Sequence, residues 1–361
     1  MAFSPKNLAS LLTVAIQHKA SDIHIRCNEV PCLRIKGELV PIQTKTFTEE
    51  DVTDIIKIIT DKEKNRIEID KILELDGAYE AADICRVRYN IYRYFSHFGI
   101  IMRVIRTQVP SLEELDMPSI VSKIALQKRG LILVTGPTGS GKSTTLASMI
   151  NHINEHSASH IITIEDPIEF FHPQKKSRIS QREVGKDTQN FSTGLRSALR
   201  QDPDVISIGE MRDPETVEIA LKAAETGHVV FSTLHTTNTL TTIGRIISMF
   251  PAHEQAEARK RLAENLYAII GQRMIPGKNG RVVIAQEIMV TSPGIKDCIT
   301  GKDDINRIPH IISQGQGKST NGGQTFDQHI MFLFQKGFIT KEVAMESVSS
   351  QSDFIQKLLV E

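Results

Sequence analysis

The sequence predicts an α/β protein with two domains, a smaller α+β domain followed by a larger one built on a parallel sheet. The chain has 361 residues, more than one average domain needs. Short alternating strand patterns dominate before residue 106, whereas buried apolar runs alternate with helical segments from residue 130 onward. The alternation of buried apolar runs with helical segments is typical of a parallel sheet with crossover helices. A glycine-rich turn between the first such run and its helix strengthens the prediction.

The first domain is predicted to span residues 1–106. A helix is expected to start at Ser4-Pro5, and its apolar residues recur at helical spacing from Leu8 to Ile16. Its other face is not strongly basic, so packing inside the domain is favoured over attachment to a membrane surface. The remaining elements expected in this domain are strands at 21–26, 32–35, 38–40, 73–78, 84–92 and 99–105, a helix starting at Thr48 and another near 61–69.

Residues 107–116 contain Pro110 and no clear period, which predicts an interdomain linker. The second domain is then expected to span 117–361, with a helical C-terminal extension from about residue 292. A loop rich in Lys and Gln is expected after Phe170. The other elements expected are helices at 118–125, 142–155, 191–200, 214–225 and 252–273, strands at 131–134, 160–164, 204–210, 229–234 and 281–289, and a flexible loop at 313–324.

The segment after the first apolar run has the P-loop pattern G-x-x-x-x-G-K-S. Its backbone N–H groups and the following helix N-terminus are suited to phosphate oxygens, so ATP with Mg²⁺ is the expected ligand pair. Lys142 should reach the outer phosphates, and the Ser143 hydroxyl should bind the metal. A second Gly-Lys-Ser-Thr at 317–320 lacks the preceding glycine and strand, and is predicted to be a surface loop. The expected nucleotide-binding residues are Gly136, Pro137, Thr138, Gly139, Ser140, Gly141, Lys142, Ser143 and Thr144.

Carboxylates follow two further apolar runs. Glu210 ends the run 204–210 and is the candidate for the metal shell, because P-loop enzymes present an acid there. Glu165, Asp166 and Glu169 follow another run, and a water-activating base is expected among them. Residue type does not choose among these three.

Histidines and arginines supply the remaining candidates. His228 and His235 bracket the run 229–234; either they sense the γ-phosphate as neutral imidazoles or they are hydrogen-bonded structural residues. Arg88 and Arg103 lie on the last two strands of the first domain. They are candidates for fingers acting on a neighbouring subunit, with ordinary surface arginines as the alternative.

Composition and residue patterns argue against several classes of protein and site. Lys and Arg total 43 and Asp and Glu total 43, so bulk charge does not favour a nucleic-acid partner. The four cysteines form no C-x-x-C pair, which argues against a zinc site and favours a reducing cytoplasm. No apolar run approaches the ~20 residues of a membrane span, and no signal-peptide core follows Met1. The expectation is a cytoplasmic protein without direct membrane insertion.

Together these motifs resemble the secretion ATPases of type IV pilus systems, specifically the retraction motors of the PilT/PilU group. The resemblance covers nearly the whole chain. It is carried by Ala20–Ile25, similar to an A-S-D-L-H-L start; Gly136–Ser143, the Walker A motif; Thr163–Phe170, similar to an Asp box; Ile208–Asp213, similar to Walker B; Thr226–Thr237, similar to a His box; and Gln324–Gln328, similar to a C-terminal segment.

The resemblance implies a PAS-like N-terminal domain and a RecA-like P-loop ATPase domain, assembled as a homo-hexamer that powers pilus retraction and twitching motility. It implies that Glu169 is the catalytic carboxylate and that Glu210 holds the Mg²⁺ water. It also implies roles for Arg88 and Arg103 as N-domain arginines, and for His228 and His235 as the His-box pair. The implied partners are an inner-membrane pilus platform protein, which would place the ring peripherally at that membrane, and a paralogous retraction ATPase.

Two departures from the family pattern keep alternatives open. Many relatives carry a further arginine between the counterparts of Arg88 and Arg103, at a position where this chain has the segment Tyr94-Phe95-Ser96-His97. The retraction motif A-I-R-N-L-I is matched only loosely by Gly294–Ile299. The first departure leaves open which arginines act as fingers, and the second leaves open an accessory PilU-like paralogue. Two further alternatives are a nucleotide-dependent regulatory ring with little hydrolysis and a nucleic-acid translocase on the same core. The tetracysteine segment of assembly-type relatives is absent, which argues against pilus assembly.

Overall fold

A computed structural model describes residues 3–18, 20–35, 37–60, 68–81, 84–105, 109–315 and 322–360. The chain divides into two compact units, Met1–Gln108 with Glu169–Phe171, and Val109–Ile168 with His172–Glu361. The second unit thus begins inside the segment predicted as a linker. Most of the helix expected near 61–69, and the whole of 317–320, lie outside the described residues.

The first unit is built on a six-stranded antiparallel sheet in the order β3-β2-β1-β6-β5-β4. Alternate residues of β5 are buried, as the period-two pattern predicted. The two longest strands of this sheet pair over their whole length, with Arg86 opposite Ile105 and Tyr94 opposite His97. The strands are β1 (Asp22–Arg26), β2 (Cys32–Ile35), β3 (Glu38–Pro41), β4 (Glu74–Ala81), β5 (Cys85–Tyr94) and β6 (His97–Ile105).

Two helices, α1 (Pro5–Gln17) and α2 (Glu49–Thr60), pack with this sheet. Helix α1 begins where the sequence predicted, because the Ser4 side chain accepts a hydrogen bond from the Asn7 N–H and Pro5 occupies the first turn. Its apolar face, including Leu8 and Leu12, is buried in the core of the unit. That face is therefore used for packing and not for a membrane surface. Among the described residues, no helix is long and apolar enough to cross a membrane.

The second unit is built on a seven-stranded sheet in the order β13-β12-β7-β11-β10-β8-β9. Only the β12–β13 pair is antiparallel; every other neighbouring pair is parallel. Every residue of β7, β10 and β11 is buried, which explains why these strands appear in the sequence as continuous apolar runs. The strands are β7 (Gly130–Thr135), β8 (His160–Glu165), β9 (Arg178–Glu183), β10 (Val205–Ile208), β11 (Val229–Leu234), β12 (Leu266–Pro276) and β13 (Val282–Val290).

Helices cover both faces of this sheet and form the C-terminal extension. A separate hydrophobic cluster joins Phe326, Ile330 and Phe354 of the extension to Ile275 and Ala285 of the sheet. The helices are α3 (Ile120–Ala125), α4 (Lys142–His156), α5 (Phe191–Ala198), α6 (Pro214–Glu225), α7 (Thr239–Ser248), α8 (Gln255–Asn265), α9 (Pro293–Thr300), α10 (Ile308–Gln314), α11 (Phe326–Gln335), α12 (Lys341–Ser347) and α13 (Gln351–Val360), with 3-10 turns at Ile69–Lys71, Lys278–Gly280 and Ile305–Arg307.

The prediction of one long helix over 252–273 is wrong. Helix α8 ends at Asn265, and β12 starts at Leu266. The spacing of Leu262, Leu266, Ile269 and Ile270 fits a helix, but the last three belong to a strand buried between β7 and β13. A strand covered on both faces is apolar at successive positions, so periodicity alone cannot separate it from a buried helix.

The prediction of a Lys- and Gln-rich loop after Phe170 is also wrong in part. Residues Arg178–Glu183 form β9, the edge strand that pairs in parallel with β8. Only Ile179 and Glu183 of this strand are buried. An edge strand hydrogen-bonds to one neighbouring strand only and is half solvated. Its polar composition therefore resembles that of a loop.

Candidate nucleotide-binding site

The P-loop adopts the conformation that a phosphate cradle needs. Strand β7 ends at Thr135, and α4 begins at Lys142. Between them Gly139 and Gly141 take positive φ values of 80° and 87°. A Cβ on Gly136 would lie 2.5 Å from the Gln272 carbonyl oxygen and 2.5 Å from Ser140 Oγ, so only glycine fits there. These glycines turn the backbone around the helix N-terminus, where N–H groups bind anions.

Lys142 points back over this turn. Its side chain is buried, and Nζ donates hydrogen bonds to the carbonyl oxygens of Gly136 at 3.0 Å and Pro137 at 3.1 Å. Two buried hydroxyl oxygens beside the turn, Thr135 Oγ1 and Ser140 Oγ, have no hydrogen-bond partner among the described residues. A buried polar group without a partner is costly. The ammonium and these hydroxyls are therefore suited to phosphate oxygens.

Three predicted motifs meet at one imidazole. His235 Nδ1 lies 3.4 Å from Thr138 Oγ1 in the P-loop, and His235 Nε2 lies 3.4 Å from Glu210 Oε2. The other oxygen of Glu210 pairs with Arg212 Nη2 at 2.6 Å. The His235 ring therefore lies between the P-loop and the Glu210 carboxylate.

The register of the sheet explains this convergence. Strands β7 and β11 pair in parallel, with Thr135 opposite Leu234, so the P-loop and His235 leave the sheet side by side. Strand β10 flanks β11, and its end is tied down because Thr233 Oγ1 donates to the Gly209 carbonyl oxygen at 2.7 Å. Glu210 therefore also leaves the sheet at its carboxyl edge, where open α/β sheets bind ligands.

Within its own unit His228 lies far from the P-loop, unlike His235. His228 precedes β11, whose first residue pairs with Gly130 at the start of β7. It therefore lies at the amino edge of the sheet, about 20 Å from the P-loop by strand length. Its Nδ1 lies 3.0 Å from the Ala223 carbonyl oxygen and 3.1 Å from Thr226 Oγ1. His228 is thus hydrogen-bonded within its own unit, and its role in the His-box pair stays a prediction.

The arginines of the first unit lie side by side. Arg88 of β5 is directly opposite Arg103 of β6. Arg103 Nε pairs with Asp22 Oδ1 at 3.0 Å, and the buried Asp22 also accepts from Ser21 Oγ at 2.8 Å. The Arg103 side chain is 70% exposed, so its terminal nitrogens face solvent. Any action of the two arginines on a nucleotide stays a prediction.

The three acids after β8 differ in their surroundings. Glu165 Oε1 accepts hydrogen bonds from Thr163 Oγ1 at 2.6 Å and Gln181 Nε2 at 3.1 Å, which makes Glu165 a structural acceptor. Asp166 and Glu169 are exposed. Glu169 belongs to the segment Glu169–Phe171, which groups with the first unit, and its catalytic role stays a prediction.

Two residues that contact the site were not predicted from the sequence. Gln272 lies on β12, and its Nε2 donates to Thr145 Oγ1 on α4 at 2.8 Å. It was missed because its strand was predicted as a helix. Arg212, the ion-pair partner of Glu210, stands two positions after that acid, a spacing that could have suggested it.

The residues present fit a Mg²⁺ that is held mainly through a nucleotide. No group of three or more His, Cys, Asp or Glu side chains suited to a metal occurs among the described residues. Mg²⁺ in phosphate-transfer sites takes one or two protein oxygens beside the phosphates. The Ser143 hydroxyl at the start of α4 and the Glu210 carboxylate are oxygen donors of that kind.

Comparison with known proteins agrees with this geometry. The family model described as type II/IV secretion system protein matches residues 2–323. The chain belongs to this family. The type IV pilus retraction ATPase PilT of Pseudomonas aeruginosa is 41% identical over 96% of the chain and 100% of its own length. A twitching motility protein of Neisseria gonorrhoeae is 44% identical over 93% of the chain and 89% of its own length.

Within the type II/IV secretion family the PilU branch is a weaker match. The type IV pilus ATPase PilU of P. aeruginosa is 36% identical over 95% of the chain and 89% of its own length. A crystal structure of the pilus retraction motor PilT with bound ADP superimposes with a TM-score of 0.85 at 39% identity, covering 97% of the chain and 99% of that structure. Family membership implies ATPase activity, and these matches favour the PilT-like interpretation over the PilU-like one.

Proposed function

We propose that this chain is an ATP-hydrolysing motor that powers retraction of type IV pili. The observation that carries the proposal is the convergence of the P-loop, Glu210 and the His box on His235, at the carboxyl edge of one sheet. A P-loop with an acid and an imidazole at the same edge is suited to binding a triphosphate and to detecting loss of its terminal phosphate. The two relatives described as a retraction ATPase and a twitching motility protein support the cellular role.

The chemistry assigns each group a task. The P-loop and Lys142 bind and neutralise the phosphates, and Glu169 takes a proton from the attacking water. Ser143 and Glu210 would hold Mg²⁺, which when bound offsets phosphate charge. Glu210 is paired with Arg212 here, so Arg212, whose side chain is 73% exposed, would release the carboxylate when the metal site fills.

Assembly completes the site in this proposal. The subunits form a homo-hexameric ring, and Arg88 and Arg103 act on the nucleotide of a neighbouring subunit. An arginine finger acting in trans typically raises kcat ~10³–10⁵-fold. Domain movement about residues 107–116 then performs work on an inner-membrane pilus platform protein, with the ring in the cytoplasm. A paralogous retraction ATPase is the candidate second partner.

Steady-state phosphate release from the assembled protein tests the enzymatic part. Glu169→Gln should reduce kcat at least ~10²-fold, the low end for loss of a catalytic base. Lys142→Ala should abolish turnover because the phosphates lose their buried cation. Lys222→Ala, at an exposed lysine on α6, is the matched control and should leave turnover unchanged. Wild-type release close to the level of Lys142→Ala would favour a regulatory ring instead, and DNA-stimulated, salt-sensitive turnover would favour a translocase.

The cellular part is tested by deleting the gene. Retraction duty predicts cells whose pili extend and then fail to retract, with twitching lost. A strain that still retracts pili, but loses force or only twitches more slowly, would indicate the accessory role.

A further inference from the structure

Gln181 bridges the two ends of the segment that carries Glu169. It lies on the edge strand β9, and its carboxamide uses both of its functional atoms. Oε1 accepts a hydrogen bond from the His172 backbone N–H at 2.9 Å. Nε2 donates to Glu165 Oε1 at 3.1 Å. One side chain therefore contacts the residue where the segment leaves β8 and the residue where it ends.

This double contact closes the segment into a loop. Residues 165–172 are eight in number and would span roughly 25 Å if extended. Their ends instead share one carboxamide, so the positions between them, including Glu169, can move only as far as a closed loop allows. The bridge thus limits the conformations open to the acid that the proposed chemistry needs.

Both anchors of the bridge are themselves held. Glu165 ends the buried strand β8 and also accepts a hydrogen bond from Thr163 Oγ1 at 2.6 Å. His172 is buried, and the following residue, Pro173, accepts a hydrogen bond through its carbonyl oxygen from Asn154 Nδ2 at 2.7 Å. Asn154 lies on α4, the helix that begins at the P-loop. Through these contacts the loop is attached to β8 and to α4, the helix that begins at the P-loop.

We propose that Gln181 is the positioning residue for Glu169. The inference rests on the proposed function, since Glu169 must be the base for its position to matter. A base has to lie within hydrogen-bond reach of its water, and a misplacement of about 1 Å can cost ~10²-fold in rate. The bridge needs a donor and an acceptor at the reach of a glutamine. An ionised glutamate lacks the donor, and an asparagine is one methylene shorter.

The test compares kcat and KM for ATP in the full-length, assembled protein. Gln181→Ala and Gln181→Glu should lower kcat ~10- to 10²-fold with KM changed less than about 2-fold, because the P-loop cradle does not involve Gln181. Binding of a fluorescent ATP analogue reports whether each variant still folds. Gln174→Ala is the matched control: it also removes two hydrogen bonds, both to the Ile179 backbone, from the adjacent turn without touching Glu165 or His172. It should leave kcat unchanged.

A double variant separates positioning from general stability. If Gln181 acts through Glu169, then Gln181→Ala combined with Glu169→Gln should have the kcat of Glu169→Gln alone, within about 2-fold. Multiplying effects would overturn the inference, as would a Gln181→Ala enzyme with normal kcat beside an inactive Glu169→Gln enzyme. Near-normal turnover of Glu169→Gln itself would overturn the proposed function, and the positioning role with it.

Discussion

Acid should weaken the second unit through a buried histidine, His329, on α11. The side chain is 3% exposed, and burial lowers the pKa of His329 from 6.5 to about 4. Its Nδ1 accepts a hydrogen bond from the Gln286 N–H at 2.9 Å, an interaction that needs the neutral ring. Protonation would remove this acceptor and place a charge on a buried side chain next to Ile330, a member of a hydrophobic cluster.

The sign and size follow from the two pKa values. The unfolded chain binds a proton at His329 near pH 6.5, and the folded chain only near pH 4. Between these values the unfolded state binds more protons, so stability falls as pH falls. The full contribution is present above pH 6.5 and is lost below about pH 4. The difference corresponds to roughly 3 kcal/mol in total, of which about 2 kcal/mol is lost by pH 5.

Urea unfolding at pH 7 and pH 5 measures this loss. The transition of the second unit is recognised because added ADP moves it to higher urea. His329→Asn is the informative variant, since the asparagine Oδ1 can still accept from the Gln286 N–H but does not titrate. Wild type should lose about 2 kcal/mol more than this variant between the two pH values.

His253→Asn, at an exposed histidine, is the control and should behave as wild type. The reasoning would be refuted if His329→Asn lost as much free energy of unfolding between pH 7 and pH 5 as wild type does. His172 supplies a second, independent source of acid sensitivity, because burial also lowers its pKa to about 4. Its contribution should survive in His329→Asn and disappear in the double variant with His172→Asn.

Three further outcomes are expected. His235→Ala should lower kcat roughly 10²-fold, whereas His228→Ala, at the other edge of the sheet, should change it less than about 2-fold; equal losses in phosphate release would contradict the placement within one subunit. Asp22→Asn should lower kcat of the assembled ring and leave the monomer's nucleotide affinity intact, because only the orientation of Arg103 changes; an unchanged ring rate would remove Asp22 from the mechanism. Gly136→Ala should abolish binding of a fluorescent ATP analogue, since its Cβ would meet the Gln272 carbonyl oxygen at 2.5 Å; normal binding would show that the turn can shift.

Local patterns carried most of the site prediction. The P-loop is a short-range motif whose glycines, lysine and hydroxyl act within one turn. Its residue pattern therefore predicts its geometry. Strands β7, β10 and β11 were predictable because burial on both faces demands continuous apolar runs. The N-cap at Ser4 with Pro5 was predictable for the same reason, since its chemistry is local.

Failures came where neighbours in space decide the outcome. The segment after Asn265 has helical spacing and becomes a strand only because β7 and β13 offer partners on both sides. Strand β9 is polar and is recognisable only by its pairing with β8. With both strands missed, Gln272 and Gln181 had no predicted place near the nucleotide-binding segments.

The sequence by itself predicted that the chain binds a nucleotide at Gly136–Thr144, that a parallel sheet supports this turn, and which acids and histidines follow its strands. Only the tertiary structure decided which of them meet. His228 and His235 are equivalent by spacing, yet parallel pairing sends them to opposite edges of the sheet. Gln181 likewise gains its place through strand pairing. The physical reason is that motif chemistry depends on bonded neighbours, whereas convergence depends on sheet register between residues far apart in the chain.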